Sequence, residues 1–182
     1  DAIRWTTIGR QRRGDSSLFG PLMTRANPIL GFVGFGRFAR AMSGLLQEHG
    51  LEFHHYDPAF PNDVAASQVG DVRELCAKCT HIVLALPVNR IESSLEQLLP
   101  HLTPRHIVFD VGSVKVRPEQ ALQKYCGDKI PWVATHPLFG PTSLALAERP
   151  LHVVVCPNAL FPQHVTQISE LYRRLGCEPV LQ

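Results

Sequence analysis

At 182 residues, 45% of them hydrophobic and 19% charged, the chain has the composition of a globular protein with room for one ordinary domain and a sizeable core. A formal charge of +2, dispersed along the sequence, argues against a nucleic-acid binder. No apolar run approaches the roughly 18–20 residues needed to span a bilayer, so no membrane role is expected.

Residues 1–27 carry Arg4, Arg10, Arg12, Arg13 and Arg25 among Gly and Ser without a sustained period, and they read as a flexible leader. Arginine and serine suit a transit peptide, which in a plant would direct the chain to a plastid; Asp1 and Asp15 weaken that reading. From residue 28 to 182 the pattern is regular. Ile29–Val33 is a short apolar strand, and Arg37–Glu48 places Phe38, Met42, Leu45 and Leu46 on one helix face before the His49-Gly50 stop. Leu51–Tyr56 reads as a strand, Val72–Lys78 as a helix and His81–Leu86 as a strand apolar enough to be covered on both faces. Ile91–Leu99 is predicted helical, Ile107–Asp110 a strand, Arg117–Tyr125 a helix and Trp132–Thr135 a strand. Leu151–Cys156, Pro162–Leu175 and Glu178–Leu181 read as strand, helix and strand. Strands alternating with helices imply an α/β fold of the Rossmann type, doubly wound on a mainly parallel sheet.

The five cysteines have no disulfide-framework spacing, which points to a reducing compartment and hence the cytoplasm. Cys76 and Cys79 form a CxxC, but it neither opens a helix after a strand nor has the second pair that zinc requires, so no metal is expected.

Gly34-Phe35-Gly36-Arg37-Phe38-Ala39 follows a strand and opens a helix. In such a turn the first glycine permits the tight bend, the second admits a pyrophosphate to the backbone, and the small third residue lets helix and strand pack closely. Phosphates then lie on the free N–H groups and positive dipole end of the helix. Asp57 stands at the end of the second strand, where a carboxylate can accept bonds from the adenine-ribose hydroxyls and would repel a 2′-phosphate. That favours NAD. Arg37 could reach a phosphate, which keeps NADP open, and Asp57 could instead simply cap the turn before Pro58. Leu86, Pro87 and Val88 follow the third strand, at the edge where such folds bind ligands; an ordinary strand-to-helix turn is the other reading. Gly34 to Phe38, Asp57 and Leu86 to Val88 are therefore the candidate cofactor residues. Asp110-Val111-Gly112-Ser113-Val114-Lys115 and Thr135-His136-Pro137-Leu138-Phe139-Gly140-Pro141 follow later strands at the same edge. A histidine there, beside a bound nicotinamide, suits proton acceptance near neutral pH, although in isolation one histidine among nine is more often structural than catalytic.

Together these blocks and Leu84-Ala85-Leu86-Pro87 resemble the prephenate and arogenate dehydrogenases of tyrosine biosynthesis, over residues 29–182. The wording around Gly34–Phe38 and His136–Pro141 resembles the plant-type arogenate branch, with Leu138 in place of a methionine. The resemblance implies oxidative decarboxylation of prephenate or arogenate. His136 would accept the proton of the ring hydroxyl, and Ser113 would orient the imidazole or the substrate. It also implies a helical C-terminal domain that forms a homodimer and supplies an arginine for substrate carboxylates. The chain stops at Gln182, where that domain would begin; the expectation is dinucleotide binding with poor turnover. A reductase of the 6-phosphogluconate dehydrogenase-like group and a non-catalytic dinucleotide-binding module are the alternatives.

Overall fold

The structure is a computed structural model and describes residues 27–60 and 67–182; apart from Asn27, the leader expected over 1–27 lies outside the described residues. The elements in chain order are β1 (Leu30–Val33), α1 (Arg37–Glu48), β2 (Phe53–Tyr56), α2 (Val72–Lys78), β3 (His81–Leu84) and α3 (Val88–Leu98). They continue with β4 (Ile107–Asp110), α4 (Val116–Tyr125), β5 (Trp132–Pro137), α5 (Pro141–Ala145), β6 (Leu151–Val155), α6 (Pro162–Arg174) and β7 (Cys177–Leu181). The strands join one seven-stranded sheet in the order β2-β1-β3-β4-β5-β6-β7. The expected Rossmann-type sheet is present, and every pairing is parallel except that of β5 with β6.

The period-2 alternation of the strands builds two cores. Phe32, Val83 and Phe109 point to one face, where Met42 and Leu46 of α1 and Ile168 and Tyr172 of α6 cover them. Val33, Ile82, Leu84 and Val108 point to the other, against Leu75 of α2, Ile91 and Leu95 of α3 and Leu122 of α4. Buried on both sides, the central strands read as continuous apolar runs. The helices form for local reasons as well. In α1 the buried Ala39, Met42, Leu45 and Leu46 recur at helical spacing, and the chain leaves it through Gly50 at φ +66°. In α2 the Asp71 carboxylate accepts the Glu74 N–H at 2.8 Å, and Glu74 reaches back to the Gly70 N–H at 2.9 Å.

Three features differ from the sequence expectation. α3 starts at Val88, directly after Pro87, because its first turn, with Val88 half-buried and Asn89 and Arg90 exposed, carries no apolar period. A short helix, α5, follows Gly140 with Pro141 at its first position, a favoured place for proline that five residues of periodicity cannot reveal. β6 runs antiparallel to β5, with Pro137 opposite Val153 and Thr135 opposite Val155. The link between them turns back at the carboxyl edge through α5 and does not cross a face of the sheet.

Phe109 is fully buried at the centre of the larger core, edge-on to Tyr172 with ring centroids 6.3 Å apart. Phe109→Ala is expected to cost about 3–5 kcal/mol of unfolding free energy, read as a lower urea midpoint at unchanged slope.

Candidate functional site

β1 pairs with β2 on one side and β3 on the other, so the direction of winding reverses between β1 and β3. Crevices for ligands open at such reversals, outside the carboxyl ends of the strands. The register levels Val33, Tyr56, Leu84 and Asp110 at those ends, and the predicted site residues lie there, in the loops, at the starts of α1 and α3 and, for His136, on β5 itself.

Gly34 sits at φ +87°, and a Cβ on it would stand 2.7 Å from the Ala85 carbonyl oxygen and 2.7 Å from the Leu86 side chain. The glycine turn is thus pressed directly onto the loop after β3. Gly36 is different: a Cβ there would meet nothing within 4 Å. The space beside it is open, as a pyrophosphate approaching the backbone requires. Gly36 caps α1 without a side-chain bond, and no acid occupies the first turn. The first intrahelical bond runs from the Arg40 N–H to the Gly36 carbonyl at 3.0 Å, which leaves the N–H groups of Arg37, Phe38 and Ala39 without helical acceptors. Those donors and the helix dipole fit an anion. The Arg37 side chain is exposed beside them.

Asp57 is buried at the end of β2, and its two oxygens accept the Phe35 N–H at 2.7 Å and the Ala59 N–H at 2.9 Å. It therefore both caps the turn after β2 and fixes the glycine turn. An ionised carboxylate has about four acceptor positions, so it retains capacity for ribose hydroxyls. Phe35 turns inward, its ring stacked on His55 with centroids 3.7 Å apart, and serves the turn through its backbone. Phe38 packs against Phe139 at 6.1 Å, which joins the start of α1 to the loop after β5. Leu86 borders Gly34, Pro87 is the N-cap of α3, and Val88 is the first residue of that helix rather than part of the loop.

Ser113 is exposed in the β4–α4 loop, and His136 is half-buried on β5, two residues past Ala134, the partner of Asp110. Both lie at the same sheet edge as the glycine turn. Neither side chain has a hydrogen-bond partner among the described residues, so both are available to a ligand.

Sequence reasoning assigned no role to the network beneath them. Asp110 is fully buried, and its carboxylate accepts the Gly112 N–H at 3.0 Å, the Lys115 ammonium at 2.5 Å and the Thr135 N–H at 3.2 Å. Burial pushes the Asp110 carboxyl above its ordinary range, against the pull of Lys115 and the two N–H donors. Lys115 also donates to the Thr135 carbonyl. The Thr135 hydroxyl donates to the Asp110 carbonyl at 2.6 Å and accepts from the Tyr172 hydroxyl, 3.0 Å away. An acid ending an apolar strand five residues before a lysine was the available signal.

Cys76 and Cys79 are buried free thiols, pushed by burial up to about 11 and about 12. Protonated at neutral pH, they behave as small core residues. No group of three or more potential metal ligands occurs among the described residues. No helix among them is long and apolar enough to cross a membrane. Two cavities of about 570 and 610 Å³ occur among the described residues, and the second is bordered by Phe35 of the glycine turn. The first, lined by Thr80, His81, Arg105 and Arg174, is at the amino ends of the strands; the second lies between α1 and β2.

The family model for the prephenate dehydrogenase nucleotide-binding domain matches residues 55–180, well over half the chain. The chain belongs to that family. The match begins at His55, so the glycine turn ahead of it stands on its own geometry. A probable arogenate/prephenate dehydrogenase from Methanocaldococcus jannaschii is 25% identical over 111 residues, covering 61% of this chain and 22% of that protein. The Synechocystis arogenate dehydrogenase structure superposes with a TM-score of 0.69 at 23% identity, over 85% of this chain and 59% of that one. Prephenate dehydrogenase from Aquifex aeolicus, solved with hydroxyphenyl propionate and NAD+, superposes with a TM-score of 0.69 at 16% identity, over 87% and 61%. These superpositions establish the shared fold. The chain spans about three fifths of those structures and about a fifth of the curated relative.

Substituting the two glycines is expected to separate folding from ligand binding. Gly34→Ala is expected to lower the melting temperature, since both its φ and its neighbours reject a side chain, at a cost of about 1–3 kcal/mol or more. Gly36→Ala is expected to melt like the parent yet bind NADH at least about tenfold more weakly, as checked by calorimetry and NADH fluorescence.

Proposed function

We propose that this chain is the cofactor-binding half of a prephenate or arogenate dehydrogenase, acting in the oxidative decarboxylation that yields 4-hydroxyphenylpyruvate or tyrosine. The observation that carries the reading is His136. Its imidazole has no partner among the described residues at the end of β5, on the same sheet edge as the uncapped N-terminus of α1, within a chain of the prephenate dehydrogenase family.

The free N–H groups at Arg37 and Phe38 and the open space at Gly36 would hold the pyrophosphate of a nicotinamide dinucleotide. Asp57 would accept the adenine-ribose hydroxyls, which favours NAD over NADP, because a 2′-phosphate beside a buried carboxylate meets like-charge repulsion. Leu86 to Val88 would border the cofactor. When bound, the nicotinamide supplies the hydride acceptor. His136 binds the ring hydroxyl and takes its proton; Ser113 orients the imidazole or the substrate. Loss of carbon dioxide aromatises the ring, so the protein's task is positioning and proton acceptance. The wording of the Gly34–Phe38 and His136–Pro141 blocks resembles the plant-type arogenate branch, and both prephenate and arogenate are substrates to test. The relatives' greater length leaves room for the remaining wall of the substrate cleft and for a dimer surface.

Fluorescence titration is expected to show NADH binding about tenfold or more tightly than NADPH, with Asp57→Ala erasing the difference. Tighter NADPH binding would reverse the cofactor assignment. Turnover is measured with arogenate and with prephenate, on this chain and on the longest natural form containing it. His136→Asn is expected to lower kcat by about 10²–10⁴ while NADH affinity stays within about twofold. An unchanged kcat would remove His136 from the reaction.

A further inference from the structure

Ser113 and His136 sit on separate segments, the loop after β4 and the end of β5, and neither side chain is tied to anything among the described residues. Something else must hold those two segments together. Three hydrogen bonds cross between them through Asp110, Lys115 and Thr135, and three more brace those residues. The Asp110 carboxylate takes the Gly112 N–H, one residue before Ser113, and the Thr135 N–H, one residue before His136. The Lys115 ammonium, two residues after Ser113, reaches both that carboxylate and the Thr135 carbonyl. Thr135 is thus gripped at both its backbone groups, and Tyr172 of α6 secures its hydroxyl from behind.

We propose that Lys115, paired with Asp110, is a positioning residue that clamps the Ser113 loop onto the end of β5 and so sets the placement of the His136 imidazole. The proposal rests on the dehydrogenase reading for its functional meaning, but its geometry does not. An exposed lysine helping a surface loop would gain little from such a pair. Here the carboxylate is fully buried and the lysine side chain only 19% exposed, so losing either partner leaves a buried charge uncompensated. An ammonium has three donors, and the clamp uses two. A neutral replacement of the whole pair keeps the volume of the site and removes both bonds of the Lys115 ammonium, while the amide oxygen of Asp110→Asn can still accept the Gly112 and Thr135 N–H groups. Removing both charges together is often neutral for folding, which separates positioning from stability.

The test uses the full chain with Lys115→Met alone and with the double change Asp110→Asn/Lys115→Met. Hydrogen–deuterium exchange and the imidazole cross-peak of His136 in a carbon–proton NMR spectrum are the readouts. In the double variant, melting is expected near the parent temperature. Exchange at residues 111–116 and 135–138 is expected to rise by about tenfold or more. The His136 cross-peak is expected to move while those of His101 and His106 stay. Lys115→Met alone should show the same local changes with a lower melting temperature. Unchanged local exchange, an unmoved His136 peak, or loss of protection spread evenly over the sheet would each overturn the clamp. Absence of NADH binding in the parent chain would instead remove the dehydrogenase reading, a separate result from these local readouts.

Discussion

The close approach of Gly34 to the loop after β3 is the contact from which the rest of the candidate site is arranged. At the one place where the sheet reverses its winding, the chain leaving β1 must bend sharply against the Ala85 carbonyl, and a Cβ would collide there. Only a residue without a side chain permits both the φ of +87° and the 2.7 Å approach. Because the turn is held down, α1 begins with its free N–H groups aimed outward at the carboxyl edge. A helix end whose donors fit an anion is a consequence of that packing.

Two buried carboxylates then brace the edge on either side. Asp57 ties the glycine turn to the end of β2 through the Phe35 N–H, and Asp110 ties the loop after β4 to β5. A carboxylate out of water is costly unless its oxygens are filled by donors, and both acids are filled mainly by backbone N–H groups, Asp110 by a lysine as well. Loops that would otherwise be free to shift are thereby fixed relative to the sheet. Phe38 against Phe139 adds an apolar link from the start of α1 to the His136 loop. Chemistry that depends on placing a proton acceptor against a ring needs this kind of support.

Much of this was legible in the sequence because the physics is local. A strand, two glycines and a helix face at 3.6-residue spacing specify the first βα unit, and the continuous apolar run at His81–Leu86 announces a strand covered on both faces. What escaped was either too short or non-local. Five residues of α5 carry no readable period, and the antiparallel return of β6 depends on how the link after β5 turns, which composition does not encode. The start of α3 was set by Pro87 and a largely exposed first turn rather than by apolar spacing. From sequence Asp57 reads as a ribose acceptor or a turn cap; its bond to the Phe35 N–H, which holds the glycine turn, depends on β1 and β2 lying side by side. Lys115 was visible within a motif, but its grip on Thr135, twenty residues away, exists only once β4 and β5 lie side by side.

The most direct test of the account maps where the dinucleotide contacts the chain. NAD+ is titrated into isotope-labelled protein while the backbone amides and histidine side chains are followed by NMR. The account predicts saturable shifts at the amides of Gly36, Arg37 and Phe38 together with the His136 imidazole, all on the carboxyl edge. Shifts confined to Thr80, His81 and Arg105 at the opposite edge, or none at all, would contradict it.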